Sequence, residues 1–432
     1  MAHFSVSGKT RRTFRAAFRR RTLGALLFLA AAFPASADAG LKADLIIIGP
    51  GDPLYTYWGH IGIAIERIDT GNSRFYDFGN FSFYSDHFYR DFALGRMMYL
   101  GLETPTDAFL SYSLKEDRNL TVYPLDLGDS ELEELDRVLR RWVRPENREY
   151  LYDYFLNNCS TIIRDILDGV TDGQLRAATE GRPDRTFRHY ARTGSDPSIA
   201  AELLLHFLLG PSADVPVDEW DMMFLPQRVA DEAGRLTYTG RDGTRRTLAG
   251  KPAVLRTSTR PPVPEEPRTL WPVTAAFGVT FAFLWALTGS AFRGSGRGGR
   301  LLAAFAGTAI ILIVGIPGAL TGFIMAFTDH AAGHGNLNLW PAFPTILIGI
   351  VPLYASIGGA PEKRRRTWET ILSWIWTVNL AGLAAAILLK TTGIVNQDCA
   401  AFWAVYGPPA LIGSRPGLWM RTKAAKAIRG RS

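Results

Sequence analysis

The chain has 432 residues, 47% of them hydrophobic and 21% charged, with 48 Lys and Arg against 41 Asp and Glu for a formal net charge of +7. That length suits two or three units of ordinary domain size, and a mean hydropathy of +0.02 excludes a disordered or collagen-like chain. A basic balance invites nucleic acid, but twenty of the 48 basic residues lie in four short blocks beside apolar runs, leaving 28 against 40 acids elsewhere; no nucleic-acid partner is expected, and the blocks read as membrane orientation.

Residues 1–37 read as a signal peptide. Seven basic residues precede an apolar run from Thr22 to Phe33, and Ala35-Ser36-Ala37 offers a small-residue cleavage site. The apolar run is too short for a bilayer core of about 30 Å. Arg11-Arg12 is a faint twin-arginine signal.

Residues 38–250 are expected to form one extracytoplasmic domain. Ala43–Gly49 predicts a strand, and His60–Ile68 alternates, with Ile61, Ile63 and Ile65 on one face and His60, Gly62 and Ala64 on the other. Asp69–Asn72 predicts a turn and Arg74–Phe83 the returning strand. The small residues beside His60 leave room for another element, expected to be the helix that opens at Cys159. Glu131–Arg141, with alternating charge, predicts a solvated amphipathic helix.

In the run NNCSTIIRDILDG, Ile162, Ile163, Ile166 and Leu167 follow helical spacing, Asn158 suits the N-cap and Gly169 is a stop signal. Cys159 then lies in the first turn, where the helix dipole favours a thiolate. A thiolate facing the imidazole of His60 is an arrangement that cysteine nucleophiles use. Two other readings stay open on the residues alone: a buried structural thiol beside a structural His, and a disulfide between Cys159 and Cys399. A hairpin turning near Gly71 brings Asp77 and Asn80 toward His60 as candidates to orient it, with Ser82 behind them. The Ser160 N–H or the Asn158 side chain could face an oxyanion. Arg164 beside Asp165 is either a salt bridge or a substrate contact.

Residues 251–268 are rich in proline and predict an extended linker. Residues 269–414 predict a transmembrane domain, with apolar runs at 269–292, 301–327, 341–359 and 368–389 and a fifth at 397–414 that Pro408 and Pro409 are expected to break. The basic loops at 293–300 and 363–366 and the tail 415–432 are placed in the cytoplasm, and residues 38–268 and the loop 328–340 outside it. This predicts a multi-pass inner-membrane protein whose catalytic domain faces the periplasm. His330 and His334 lie four apart beside Asp329, but the glycines between them argue against a preformed metal site; no metal and no cofactor is expected, and the loop is expected to line a lipid entrance.

Gly59-His60-Ile61-Gly62 on a strand, followed by Asn158-Cys159-Ser160-Thr161 opening a helix, resembles the circularly permuted branch of the papain-like NlpC/P60 superfamily. More closely, GHIGIAI, FYDFGNFSF, FYRDFALGRMMYL, PENREYLYDYFLNNCSTIIRDIL, DRTFRHY and FLP at 224–226 resemble the Lnb-type lipoprotein N-acyltransferase family. TDHAAGHGNLNLWPAFP resembles that family's external loop, and the likeness covers most of residues 43–413. It implies an α+β fold: a circularly permuted NlpC/P60 (papain-like) domain followed by an α-helical transmembrane bundle of about five helices. It implies that Cys159 takes a fatty acyl chain from a phospholipid as a thioester and passes it to the N-terminal amine of a lipoprotein, with His60 as general base and then acid. Asn158, Ser160, Arg164, His330, Asn336 and Asn338 are the expected substrate contacts. Ser82 stands where the family often has Asp between two phenylalanines, which leaves the third member open between Asp77 and Asn80. Two alternatives belong to other classes: a periplasmic cysteine peptidase or amidase acting on peptidoglycan peptides, and a non-enzymatic lipid- or lipoprotein-binding protein.

Overall fold

The structure is a computed structural model that describes residues 40–81, 87–294, 297–355 and 361–415. The expected signal peptide, Ser82 and nearly all of the basic tail lie outside the described residues. Strands β1 (Leu41–Ile48), β2 (His60–Arg67), β3 (Asn72–Asn80), β4 (Met98–Pro105), β5 (Leu120–Pro124) and β6 (Glu149–Leu151), with the strand Ala253–Arg256, form one antiparallel sheet. Its order is Ala253–Arg256, β5, β1, β2, β3, β4, β6. The β2–β3 hairpin turns through Gly71, whose φ of 65° suits a residue without Cβ, and its register pairs Gly62 with Asp77.

Four helices position the site: α1 (Phe88–Ala93), α2 (Thr106–Ser113), α3 (Asp129–Trp142) and α4 (Cys159–Val170). Ile61, Ile63 and Ile65 share one core with Ile162, Ile163 and Ile166 of α4 and Leu132, Leu135 and Leu139 of α3. The body of α4 therefore packs on the isoleucine face of β2, opposite to the small-residue face expected to receive it. Joining two large apolar faces removes more surface from water than a glycine face can. On the other face, Gly62 makes room for the Phe75 ring, and Phe75 stacks on Phe109 of α2 at 3.8 Å between centroids.

Two further expectations are corrected. Helix α3 is not merely solvated: Glu131 is buried and accepts hydrogen bonds from the Arg241 N–H at 2.6 Å and the Ser130 hydroxyl at 2.8 Å. Burial works against its charge, but these bonds outweigh it and hold its pKa below the ordinary range. Segment 251–268 is not all linker, because Ala253–Arg256 pairs with the edge of β5, and Ser258, Thr259 and Arg260 hydrogen-bond to Asp117. An edge strand otherwise leaves a row of backbone groups to water.

In the second half, Arg297–Phe327, Leu337–Ala355 and Arg366–Thr391 are long and apolar enough to cross a membrane. Trp271–Gly294 is apolar over Trp271–Leu287, and Ala400–Gly413 has 14 residues. At 1.5 Å per residue the latter reaches about 21 Å, short of a bilayer core. Three of the five expected spans meet the length and composition needed. Pro408 and Pro409 do not break Ala400–Gly413, which stays helical through both. Pro408 leaves the Ala404 carbonyl without its helical donor, and the backbone of Gly278 packs against that carbonyl so closely that a Cβ would lie 2.0 Å from it.

Candidate active site

The start of α4 is fixed by its own sequence. The Asn158 side-chain oxygen accepts from the N–H groups of Ser160 (2.8 Å) and Thr161 (3.0 Å), and the Thr161 hydroxyl accepts from the Asn158 N–H at 2.7 Å. Such a capping box contributes about 1 kcal/mol. The Asn158 amide also donates to the carbonyls of Tyr154 (3.0 Å) and Phe224 (3.1 Å). These bonds engage the Ser160 N–H and the Asn158 side chain, the two groups expected to face an oxyanion, in setting the helix start, and both residues line one cavity with Cys159 and His60. The helix runs one residue past Gly169 and ends where Asp172 and Gly173 take φ of 53° and 82°.

His60 opens β2. Gly79 on β3 makes room for its ring, since a Cβ there would lie 2.5 Å from Cε1. His60 Nε2 pairs with Asp77 Oδ2 at 2.7 Å, and Asp77 Oδ1 accepts from Asn80 Nδ2 at 2.8 Å. Both candidates for the third member thus stand in one chain behind the imidazole: Asp77 touches it, and Asn80 holds Asp77. Nε2 is engaged by Asp77, and Cys159 lies near enough to the imidazole to favour its charged form. Burial disfavours a charged imidazole, but the hydrogen bond to Asp77 and the nearby Asp77 and Cys159 groups outweigh it, and the His60 pKa is pushed up to about 10. The Ser160 hydroxyl, fully buried, lies 3.9 Å from the Cys159 sulfur.

Cys159 and His60 line a cavity of about 1000 Å³. One wall is aromatic, where Tyr99 and Tyr152 stack at 4.2 Å and Tyr154 stacks on His330 at 6.1 Å between centroids. Burial pushes the hydroxyls of Tyr99 and Tyr152 up and that of Tyr154 to about 12, so all three remain neutral donors at ordinary pH. Another part of the lining is apolar and largely aliphatic: Leu204 and Leu208 from the helix Ile199–Leu208, with Leu320, Phe323 and Ile324 from the helix Arg297–Phe327.

The remaining expected contacts separate. His330 lines the cavity, and its Nε2 donates to the Phe92 carbonyl of α1 at 3.1 Å, while burial lowers its pKa. His334 turns elsewhere, to the Thr328 carbonyl at 3.0 Å. Arg164 is not part of the cavity lining; its guanidinium lies 4.1 Å over the Trp220 ring and donates to the Trp220 carbonyl at 3.0 Å and to Asp165 at 2.8 Å. Asn336 and Asn338 are fully buried away from the cavity, where their amides donate to the carbonyls at the end of Ile199–Leu208: Asn336 to Phe207 (2.8 Å) and Leu208 (3.0 Å), Asn338 to Phe207 (3.0 Å). Helix ends leave such carbonyls unpaired, and amide side chains supply the donors. Cys159 and Cys399 are both free thiols, which overturns the disulfide reading, and Cys399 donates to the Gln397 carbonyl at 3.3 Å.

Sequence reasoning missed Gly79, the tyrosine wall and the aliphatic wall. The alternation of Tyr150, Tyr152 and Tyr154 just before Cys159 was a usable signal for the second; a lone glycine on a strand was not one for the first.

Residues 38–193 match the family model described as the Lnb N-terminal periplasmic domain. No curated protein matches the chain, and no solved structure matches it. With three helices long and apolar enough to cross a membrane, the chain is a membrane protein with a periplasmic domain.

Proposed function

We propose, from the match of residues 38–193 to the Lnb N-terminal periplasmic domain, that this chain is an inner-membrane thiol acyltransferase moving a fatty acyl chain from a phospholipid to the N-terminal amine of bacterial lipoproteins. The observation that carries this reading is the single cavity in which the Cys159 thiol and the His60 imidazole meet side chains of a membrane helix. A wall hydrolase needs no aliphatic wall of that kind beside its nucleophile.

The chemistry balances in two steps. The Cys159 thiolate attacks the ester carbonyl, a C–S bond forms, the ester C–O bond breaks, and the lysophospholipid alkoxide leaves with the proton of the His60 imidazolium. The acceptor amine then attacks the thioester, a C–N bond forms, the C–S bond breaks, and His60 takes the amine proton as the thiolate returns. Asp77 orients the ring and stabilises its charged form, and Asn80 holds Asp77. The acyl chain lies between Ile199–Leu208 and Arg297–Phe327. The domain is read as a permuted papain-like one because the histidine strand precedes the cysteine helix. Trp271–Gly294 is read as a fourth crossing, and Ala400–Gly413, at about 21 Å, would make a fifth only together with residues flanking it.

Intact-protein mass spectrometry after incubation with phospholipid tests the first step: an acyl adduct on Cys159, absent from Cys159→Ala, is expected. Cleavage of a muropeptide with no adduct would point to the amidase instead. Expression in a strain lacking its own lipoprotein N-acyltransferase tests the second, with N-acylated lipoproteins as the expected product.

A further inference from the structure

The cavity has a polar end that these two steps leave unused. Ile48 is the register partner of His60, and the carbonyl of the next residue, Gly49, accepts from Arg118 Nε at 2.7 Å. Arg118 therefore stands on the cavity wall one residue along from the neighbour of His60. Its side chain is only 11% exposed, Nη1 reaches Glu116 at 3.1 Å, and Nη2 is buried with no hydrogen-bond partner among the described residues. A buried guanidinium N–H without an acceptor is destabilising, and an anionic oxygen is the acceptor that suits it best. Gly51 allows the close approach, since a Cβ there would lie 3.1 Å from Arg118 Cδ. Lys115 and Arg260 share this end with Asp52, Glu116 and Asp117, so three cations face three anions. Arg260 is already engaged by Asp52 at 2.6 Å.

We infer that Arg118 binds the phosphodiester of the donor phospholipid, with Nη2 donating to a non-bridging oxygen, and that the carboxylates beside it favour a zwitterionic phosphoethanolamine headgroup over one with net negative charge. This deepens the acyl-transfer reading and rests on it. A headgroup at Arg118 and a chain between the two helices leave the glycerol esters to face Cys159, which lies on the same cavity.

The test is single-turnover acylation of Cys159, read by mass spectrometry on the full-length protein in detergent micelles. The donors are phosphatidylethanolamine, phosphatidylglycerol and a p-nitrophenyl fatty ester that has no headgroup. Arg118→Gln is expected to lower the rate ratio of phosphatidylethanolamine to ester at least about tenfold, the scale of one charged hydrogen bond. The unmodified protein is expected to react faster with phosphatidylethanolamine than with phosphatidylglycerol. An equal loss on phospholipid and ester, as misfolding gives, would overturn the headgroup site. Soluble glycerophosphoethanolamine is expected to inhibit the unmodified protein more strongly than inorganic phosphate, and equal inhibition would reassign the site to free anions. No adduct from any donor in the unmodified protein would remove the acyl-transfer reading itself, whereas an adduct whose donor ratio ignores Arg118 removes only the headgroup site.

Discussion

The two cysteines stand at two helix starts, one in each half of the molecule. Cys159 is the first residue of α4, and Cys399 is the N-cap of Ala400–Gly413. A helix terminus alone would treat them alike. What separates them is company: Cys159 meets His60, backed by Asp77 and Asn80, on a cavity, whereas Cys399 is fully buried and its thiol donates to the Gln397 carbonyl. The proposed nucleophile is thus set apart by the imidazole and the open volume beside it, and not by the helix dipole alone.

Substitutions break this contrast in order of size. Cys159→Ala is expected to abolish acyl transfer, while Cys399→Ala keeps it; thiol alkylation followed by peptide mapping should modify Cys159 and spare Cys399. His60→Ala is expected to lower the acylation rate by about 10²–10⁴, the range for general acid–base groups, with membrane insertion intact by protease protection.

The pH profile sharpens the comparison further. The folded pKa of His60, about 10, lies above its ordinary value of 6.5, so the charged imidazole stabilises the site in full below about 6.5, and that contribution is lost as pH rises through about 10. Acylation is expected to hold through neutral pH and to fall through about 10. Asp77→Asn removes a partner that raises the pKa and should move this limb to lower pH; an unmoved limb would show that Asp77 does not act on His60.

The smallest effect concerns the cap. Asn158→Ala is expected to destabilise the domain by about 1–2 kcal/mol, read as a fall in thermal midpoint, because the cap is lost and buried carbonyls of Tyr154 and Phe224 lose a donor.

The features legible in the sequence are those set within a few residues. Asn158 caps from three positions away, the alternation of Ile61, Ile63 and Ile65 defines a buried face, and Gly71 turns the hairpin that brings Asp77 to His60. What was not legible depends on distant partners. Nothing near Gly62 says that its free space is taken by Phe75 rather than by α4. Nothing near Gly79 says that an imidazole lies over it. Asn336 and Asn338 looked like substrate contacts because an amide in a loop gives no sign of which carbonyls it will satisfy. The same holds for Arg164, whose stacking on Trp220 bridges 56 positions of chain.

The capping of Ile199–Leu208 has a consequence for dissecting the molecule. Its final carbonyls, and that of Leu209, take their donors from Asn336, Asn338 and Gln397, and Arg188 adds its own bonds to His206, Leu209 and Gly210. Leu204 and Leu208 on that helix also form the aliphatic wall of the cavity. A soluble fragment cut near residue 250 would keep Cys159 and His60 yet lose both the donors that cap this helix and the opposite wall of the cavity. The seam between water-facing and membrane halves is therefore a poor place to divide the gene, because the cavity draws its walls from both sides of it.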